Sequence, residues 1–299
     1  MTLPIPPTLR SFGHTLDPSP HRLARLESSA TSEPLPVLQT RYREHGYLWL
    51  RGMLPRSEVL EFRRHFFSAF LDTGLLEPGS DPVDGFASRT ALTPLVQKRH
   101  MELVRSAAYE SFCLHPLLWR FLDGFLEGMS YLHKRKMIRY TLPGDLTGTP
   151  AHYDLIYLRG GTDRLVTAWI PLGDVPAAMG GLVYLEGSHG LGQRMEAEFA
   201  ALNATLSPEE RVSAYNRNMT EGGWVSKDLP DMAQRFDTRW LWADYEAGDV
   251  LLHSPYMIHA ATANTDPRRM RLSTDIRYQN LHDEIDVRWN NHWTLSDML

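Results

Sequence analysis

His152 and Asp154 flank a single residue in PAHYDLIYLRGG, a run that begins at Pro150. Residues i and i+2 of a strand point to the same face. The spacing therefore predicts an imidazole and a carboxylate side by side, with Tyr153 turned away. Those groups supply two of the three donors of a facial two-histidine, one-carboxylate metal site, which keeps coordination positions open and suits non-haem Fe(II). H-x-D is too short a pattern to define a site by itself, so a third donor has to come from elsewhere in the chain.

The stretch GDVLLHSPYMIHAATANTDPRRMRLSTDIRYQ offers His253 and His259. His253 ends the strand-like run VLLH and reads as a strand residue satisfied by a core hydrogen bond. His259 opens the small-residue run HAATAN, where backbone or ligand can come close. It is the better donor because a basic strand follows it. That strand places Arg269, Arg271, Ser273, Asp275 and Arg277 on one face and Met270, Leu272, Thr274, Ile276 and Tyr278 on the other. An arginine pointing inward from a strand is costly to bury alone, but it makes sense as a bidentate clamp on a carboxylate.

The elements that must carry these residues divide the chain. Residues 1–36 are rich in Pro and Ser without a sustained period and read as an arm that wraps or frays. Residues 37–130 read as mainly helical support. VLQTRYREHG stops at Gly46, YLWLRG is a short strand, and Val59, Phe62, Phe66, Phe67 and Phe70 recur at helical spacing as a core stripe. Ser57 reads as the cap of that helix, 71–94 as loop and 95–128 as two helices. From 131 to 280 the texture changes to short runs (KMIRYTL, DLIYLR, LVTAWIPL, GLVYLEGSH, DVLLHS, RLSTDIRYQ) separated by Gly, Pro and Asp. Residues 193–240 interrupt them with a polar, helical insertion, a candidate lid, and 281–299 form a tail. The expected fold is α+β, mainly β: one domain over 1–299, a double-stranded β-helix (jelly roll, cupin-like) buttressed by N-terminal helices.

Composition narrows the partners. The 299 residues carry a net charge of −5, with 42% hydrophobic and 22% charged residues, which is ordinary for a globular chain. The mild acidity argues against nucleic-acid and membrane-surface binding. The one basic run, HKRKMIR, reads as a solvated helix end leading into a strand. A single cysteine, Cys113, allows neither an intrachain disulfide nor a Cys-based zinc site. The start, MTLPIPPTLRSFG, lacks a basic segment followed by a long apolar run, and no stretch approaches the ~20 apolar residues of a membrane span. The expectation is a cytoplasmic monomer or homodimer whose partner is a small-molecule substrate, not a nucleic acid or a membrane.

Five segments, in order over roughly half the chain, resemble the phytanoyl-CoA dioxygenase family of Fe(II)/2-oxoglutarate oxygenases: TPAHYDLIYLRGG, LVTAWIPLGDV, GGLVYLEGSHGLG, AGDVLLHSPYMIHAATANT and RMRLSTDIRYQ. The resemblance implies that His152, Asp154 and His259 bind the iron and form the catalytic centre. It implies a basic residue on the distal carboxylate of 2-oxoglutarate. Arg269 and Arg271 both have suitable spacing, and Arg271 is favoured because it keeps the usual distance to the closing RYQ. Trp169 matches a position lining the co-substrate pocket, Thr167 is its same-face neighbour, and Met137 and Lys98 match further pocket positions. His189 reads as structural, and Gly180 and Gly181 as a turn. The implied activity uses O2 and 2-oxoglutarate to hydroxylate, desaturate or cyclise a small organic molecule such as a natural-product intermediate, releasing succinate and CO2. The residues themselves leave two other classes open: a metal-dependent hydrolase working through an activated water, and a non-catalytic jelly-roll binding protein.

Overall fold

The short apolar runs gather into two sheets in the computed structural model, which describes residues 8–88, 93–221 and 223–294, without the side chains of 219–221. The larger sheet has six strands. Tyr47–Leu50, Val250–His253, Leu165–Pro171, Arg271–Asn280 and Ser130–Leu132 lie side by side, and Met137–Thr141 also pairs with Arg271–Asn280. All of these pairings are antiparallel. The smaller sheet orders five strands as Leu23–Arg25, Trp240–Trp242, Leu182–Leu185, His259–Ala261 and Thr149–His152. Its first pair is parallel and the rest antiparallel. The N-terminal arm thus wraps rather than frays: Leu23–Arg25 is an edge strand.

Strand alternation sorts the side chains into three buried layers. Between the sheets, Tyr47, Trp49, Trp169 and Leu251 meet Leu182, Tyr184, Leu241 and Ala261. Behind the larger sheet, Leu48, Ala168, Ile170, Leu252, Leu272, Ile276 and Tyr278 pack on the helices Leu35–His45, Arg56–Ser68, Pro94–Val104, Ala107–Cys113 and Pro116–Phe125. Phe66, Phe67 and Phe70 are fully buried there, each contributing about 1.5–3 kcal/mol. Behind the smaller sheet, Ala151, Val183, Leu185 and Trp240 pack on Leu229 and Met232 of the insertion and on Trp289 of the tail.

Local signals fix the boundaries. The first helix ends at Gly46, whose φ of 78° is the left-handed stop read from the sequence. The next begins after Pro55 without a side-chain cap, so Ser57 lies inside its first turn. Residues 94–125 hold three helices instead of two, because the Ser106 hydroxyl accepts from the Tyr109 amide and starts a new one. DLIYLR is not a strand. The chain leaves the sheet after His152 and coils into the short helix Leu155–Leu158, with the Leu155 amide donating to the Pro255 carbonyl at 2.8 Å. Among the described residues, no helix is long and apolar enough to cross a membrane.

Candidate metal centre

His152 and His259 are cross-strand partners in the smaller sheet, their rings 4.3 Å apart. Each imidazole is oriented from behind. Nδ1–H of His152 donates to the Pro150 carbonyl at 2.8 Å, and Nδ1–H of His259 to the Met257 carbonyl at 2.9 Å. This tautomer leaves both Nε2 lone pairs free. They point at one oxygen: Asp154 Oδ1 lies 3.8 Å from His152 Nε2 and 4.0 Å from His259 Nε2. The three donors lie within 4.8 Å of one another, a triangle that can hold one ion ~2 Å or a little more from every donor. Burial, reinforced by His259 for His152 and by His253 for His259, pushes both imidazoles down to about 4, the neutral form that metals require.

Asp154 reaches this position by leaving the strand. The sequence argument put its carboxylate on the His152 face by pleating; the structure puts it there at the start of a helical turn. Three groups hold it. Arg277 Nη2 donates to Oδ1 at 2.9 Å, the Thr167 hydroxyl donates to Oδ2, and His253 Nε2 lies 3.3 Å from Oδ2. A carboxylate only accepts, so His253 donates through Nε2, and its Nδ1 accepts from Tyr184 Oη at 3.0 Å. Burial pulls the Asp154 pKa upward, but Arg277, His253 and His259 outweigh it and hold the carboxyl well below the usual range. The result is a buried carboxylate beside two neutral imidazoles, their lone pairs converging on one space. That donor set fits Fe(II).

A second feature lies farther along the inner face of Arg271–Asn280. Arg271 is buried, and burial pushes it down to about 10. One Nη donates to the carbonyl of Gly180, and Nε has no partner. Gly180 can present that carbonyl because it turns with φ 77°, its α-carbon against the Thr262 and Ala263 backbone. Two residues on, the buried Ser273 hydroxyl is also unpartnered. Arg271 lines a cavity of about 550 Å³ together with Arg139, Tyr140, Leu142, Thr149 and Trp293.

A family profile described as phytanoyl-CoA dioxygenase (PhyH) matches residues 42–272, from the first helix to the strand carrying Arg271. The chain belongs to the phytanoyl-CoA dioxygenase family. It is an iron- and 2-oxoglutarate-dependent oxygenase. Among similar proteins is the 1-deoxypentalenic acid 11-beta-hydroxylase of Streptomyces arenae, 28% identical over 247 residues, 80% of this chain and 78% of that one. The protein of the same description from Streptomyces exfoliatus is 27% identical over 251 residues, with the same coverage. Two solved structures share the fold. The epimerase SnoN, in complex with Fe3+, alpha ketoglutarate and nogalamycin RO, superposes with a TM-score of 0.56 at 18% identity, covering 89% of this chain and 93% of its own. The carbocyclase SnoK from nogalamycin biosynthesis gives 0.53 at 20% identity, covering 87% and 89%.

In this family member, the remaining residues expected at the site divide. Thr167 is at the centre, but its partner is Asp154. Trp169 is buried between the sheets, edge-on to Tyr245 at 5.0 Å. Met137 is buried opposite Asp275, its sulfur 3.3 Å from an Arg139 nitrogen. Arg269 does not join them. Its side chain is 44% exposed and turned back onto Asp266 at 2.8 Å. Lys98 is 73% exposed and pairs with Glu102 one helical turn on. Val96, His100 and Leu103 carry the buried face of that helix, which leaves position 98 outside. Sequence reasoning gave Arg277 and Ser273 a face without a role, and gave His253 no link to the metal motif. Arg277 shares a strand face with Arg271 at even spacing, which was the available signal.

The insertion is more than a cover. Glu196, on the helix His189–Leu202, accepts from Tyr153 Oη at 2.6 Å and from Arg159 Nε at 2.8 Å. Asn218 takes a second Arg159 nitrogen at 2.6 Å. Tyr153 sits between the two donors of the H-x-D motif, so this segment braces the loop that presents Asp154. These bonds tie the candidate lid to the loop that presents Asp154.

Proposed function

We propose that this oxygenase holds Fe(II) on His152, Asp154 and His259, seats the distal carboxylate of 2-oxoglutarate on Arg271 and Ser273, and oxidises a C–H bond of a small, mostly apolar natural-product intermediate. We read residues 1–299 as one domain in which the facing sheets form a double-stranded β-helix. The observation that carries the proposal is the convergence of both Nε2 atoms on one buried carboxylate oxygen. Iron and 2-oxoglutarate, once bound, supply the oxidising power: O2 is consumed, the keto acid becomes succinate and CO2, and the substrate is hydroxylated or otherwise oxidised.

The chain's residues do the positioning. The Pro150 and Met257 carbonyls fix the imidazole tautomers, and Arg277, Thr167 and His253 keep Asp154 ionised and immobile. Arg271, buried beside a cavity of about 550 Å³, offers a cation where a diacid can end, and that volume suits a medium-sized organic molecule. Tyr140, Leu142 and Trp293 give the cavity apolar walls, while Arg139 and Asp145 add charges of both signs beside Arg271. The relatives named as hydroxylases of a deoxypentalenic acid support a similar substrate class. The test is oxygen uptake and succinate release with a panel of cyclic terpenoid acids and related natural products. Uptake that needs Fe(II), 2-oxoglutarate and one class of compound is expected. Turnover of a hydrolysable substrate with Zn(II) or Mn(II) and no oxygen uptake would replace the proposal with a hydrolase.

A further inference from the structure

Arg277 is a buried guanidinium whose visible bonding is incomplete. Its side chain is 5% exposed, and its one ion pair among the described residues is the 2.9 Å contact from Nη2 to Asp154 Oδ1. Nε and Nη1 are buried and have no partner among the described residues. The guanidinium carbon lies 5.3 Å from the Trp289 ring centroid, so an aromatic face covers one side without satisfying the N–H groups. Leaving such donors unpaired in a buried site is unfavourable. Arg63, another buried arginine, shows how this chain satisfies a purely structural one: Nε donates to Val83, Nη1 to Leu172 and Nη2 to Asp84, all backbone carbonyls at 2.6–3.1 Å.

Position explains what Arg277 lacks. It touches the same Asp154 oxygen that faces both imidazoles, which sets the guanidinium beside the three candidate donors. It also shares a strand face with Arg271, six residues away. At ~3.3 Å per residue their α-carbons are about 20 Å apart. A five-carbon diacid spans ~6 Å between carboxyl carbons, and a charge-assisted contact adds ~4 Å at each end. The remaining ~6 Å is closed if each long side chain leans ~3 Å toward the other, well within an arginine's reach. One keto diacid can therefore meet both guanidinium groups.

Resting on the iron and 2-oxoglutarate reading above, we propose that Arg277 is a second carboxylate anchor, and that its free Nε and Nη1 take the keto-acid carboxylate at the metal end while Arg271 takes the distal one. The site then recognises both ends of its co-substrate from a single strand. An acidic substrate offers the same chemistry, and the experiment separates the two sources.

The experiment is anaerobic equilibrium binding to Fe(II)-saturated protein, using 2-oxoglutarate and pyruvate, which keeps the keto-acid end but lacks the distal carboxylate. Arg277→Gln should weaken both keto acids by the same factor, ~10- to 100-fold, preserving their ratio. Arg271→Gln should weaken 2-oxoglutarate alone and collapse the ratio. Arg277→Lys, which keeps the charge but loses the fork, should fall between wild type and Arg277→Gln and guards against misfolding. Unaltered keto-acid binding in both Arg277 variants would overturn the proposal. If such variants instead lose discrimination between a terpenoid acid and its methyl ester, the anchor belongs to the substrate, and the co-substrate assignment is equally overturned. Failure of the wild type to bind 2-oxoglutarate at all would strike the underlying reading, not Arg277.

Discussion

The two faces of the strand Arg271–Asn280 follow different rules. Its outward face is closed. Leu272, Ile276 and Tyr278 are buried against the helices, Thr274 donates to the Met137 carbonyl at 2.9 Å and meets the Tyr109 hydroxyl, and Tyr278 donates to the Cys113 carbonyl at 2.7 Å. Its inward face is unfinished: Arg271 Nε, Ser273 Oγ, Arg277 Nε and Arg277 Nη1 are buried without partners. Buried polar atoms are nearly always paired in folded proteins, and four of the eleven buried side-chain atoms without a partner among the described residues lie on this one face, as the proposed co-substrate site requires. One face of the strand holds the fold together; the other carries buried polar groups left for the proposed ligand.

Asp154→Ala is the change expected to do most, because Asp154 serves both rules. It removes a metal donor and strands Arg277 as an unpaired buried charge. Fe(II) binding should vanish by metal analysis, and urea denaturation should show a loss of about 3–5 kcal/mol. Restoring stability with Asp154→Ala/Arg277→Met, still without iron, would sharpen the comparison.

The next contrast sets neighbours on opposite faces against each other. Leu272→Ala should cost about 2–5 kcal/mol by opening a cavity behind the sheet, while the folded fraction keeps its affinity for 2-oxoglutarate. Arg271→Gln should do the reverse, with a melting temperature equal to or above wild type and 2-oxoglutarate binding ~100-fold weaker, about 3 kcal/mol. Calorimetry of folding and of ligand binding on the same two variants reads both axes. If Arg271→Gln is the less stable of the pair, the inward face is structural and the comparison fails.

Smaller effects come from the hydroxyls. Thr274→Val should lose about 1 kcal/mol of stability with unchanged co-substrate affinity. Ser273→Ala should lose no stability and weaken 2-oxoglutarate by ~5- to 10-fold. Equal stability losses in the two variants would show that Ser273 has a protein partner after all.

Much of this was legible beforehand for physical reasons. Strand alternation separated Arg271 from Leu272, and His259 was preferred to His253 as the third candidate donor because a basic strand follows it. Other parts were hidden. Leu155, Ile156 and Leu158 suit a buried strand or a buried helical turn equally, and only the tertiary bond from Leu155 to Pro255 decides for the helix. Lys98 was misplaced although the period of Val96, His100 and Leu103 already turned it outward. Arg269 and Arg271 share a strand parity, but Asp266 captures Arg269 through a turn that alternation cannot see. The bonds from Glu196 to Tyr153 and Arg159 join residues about forty positions apart, beyond any local pattern.

The most direct test of the account is an anaerobic optical titration of the metal-free protein, first with Fe(II) and then with 2-oxoglutarate, in wild type and in His259→Ala. The account predicts one iron per wild-type chain and a visible charge-transfer band that appears only when iron and the keto acid are both present, with neither in the variant. Wild-type protein that binds iron yet shows no band, or a His259→Ala variant that develops the same band, would contradict it.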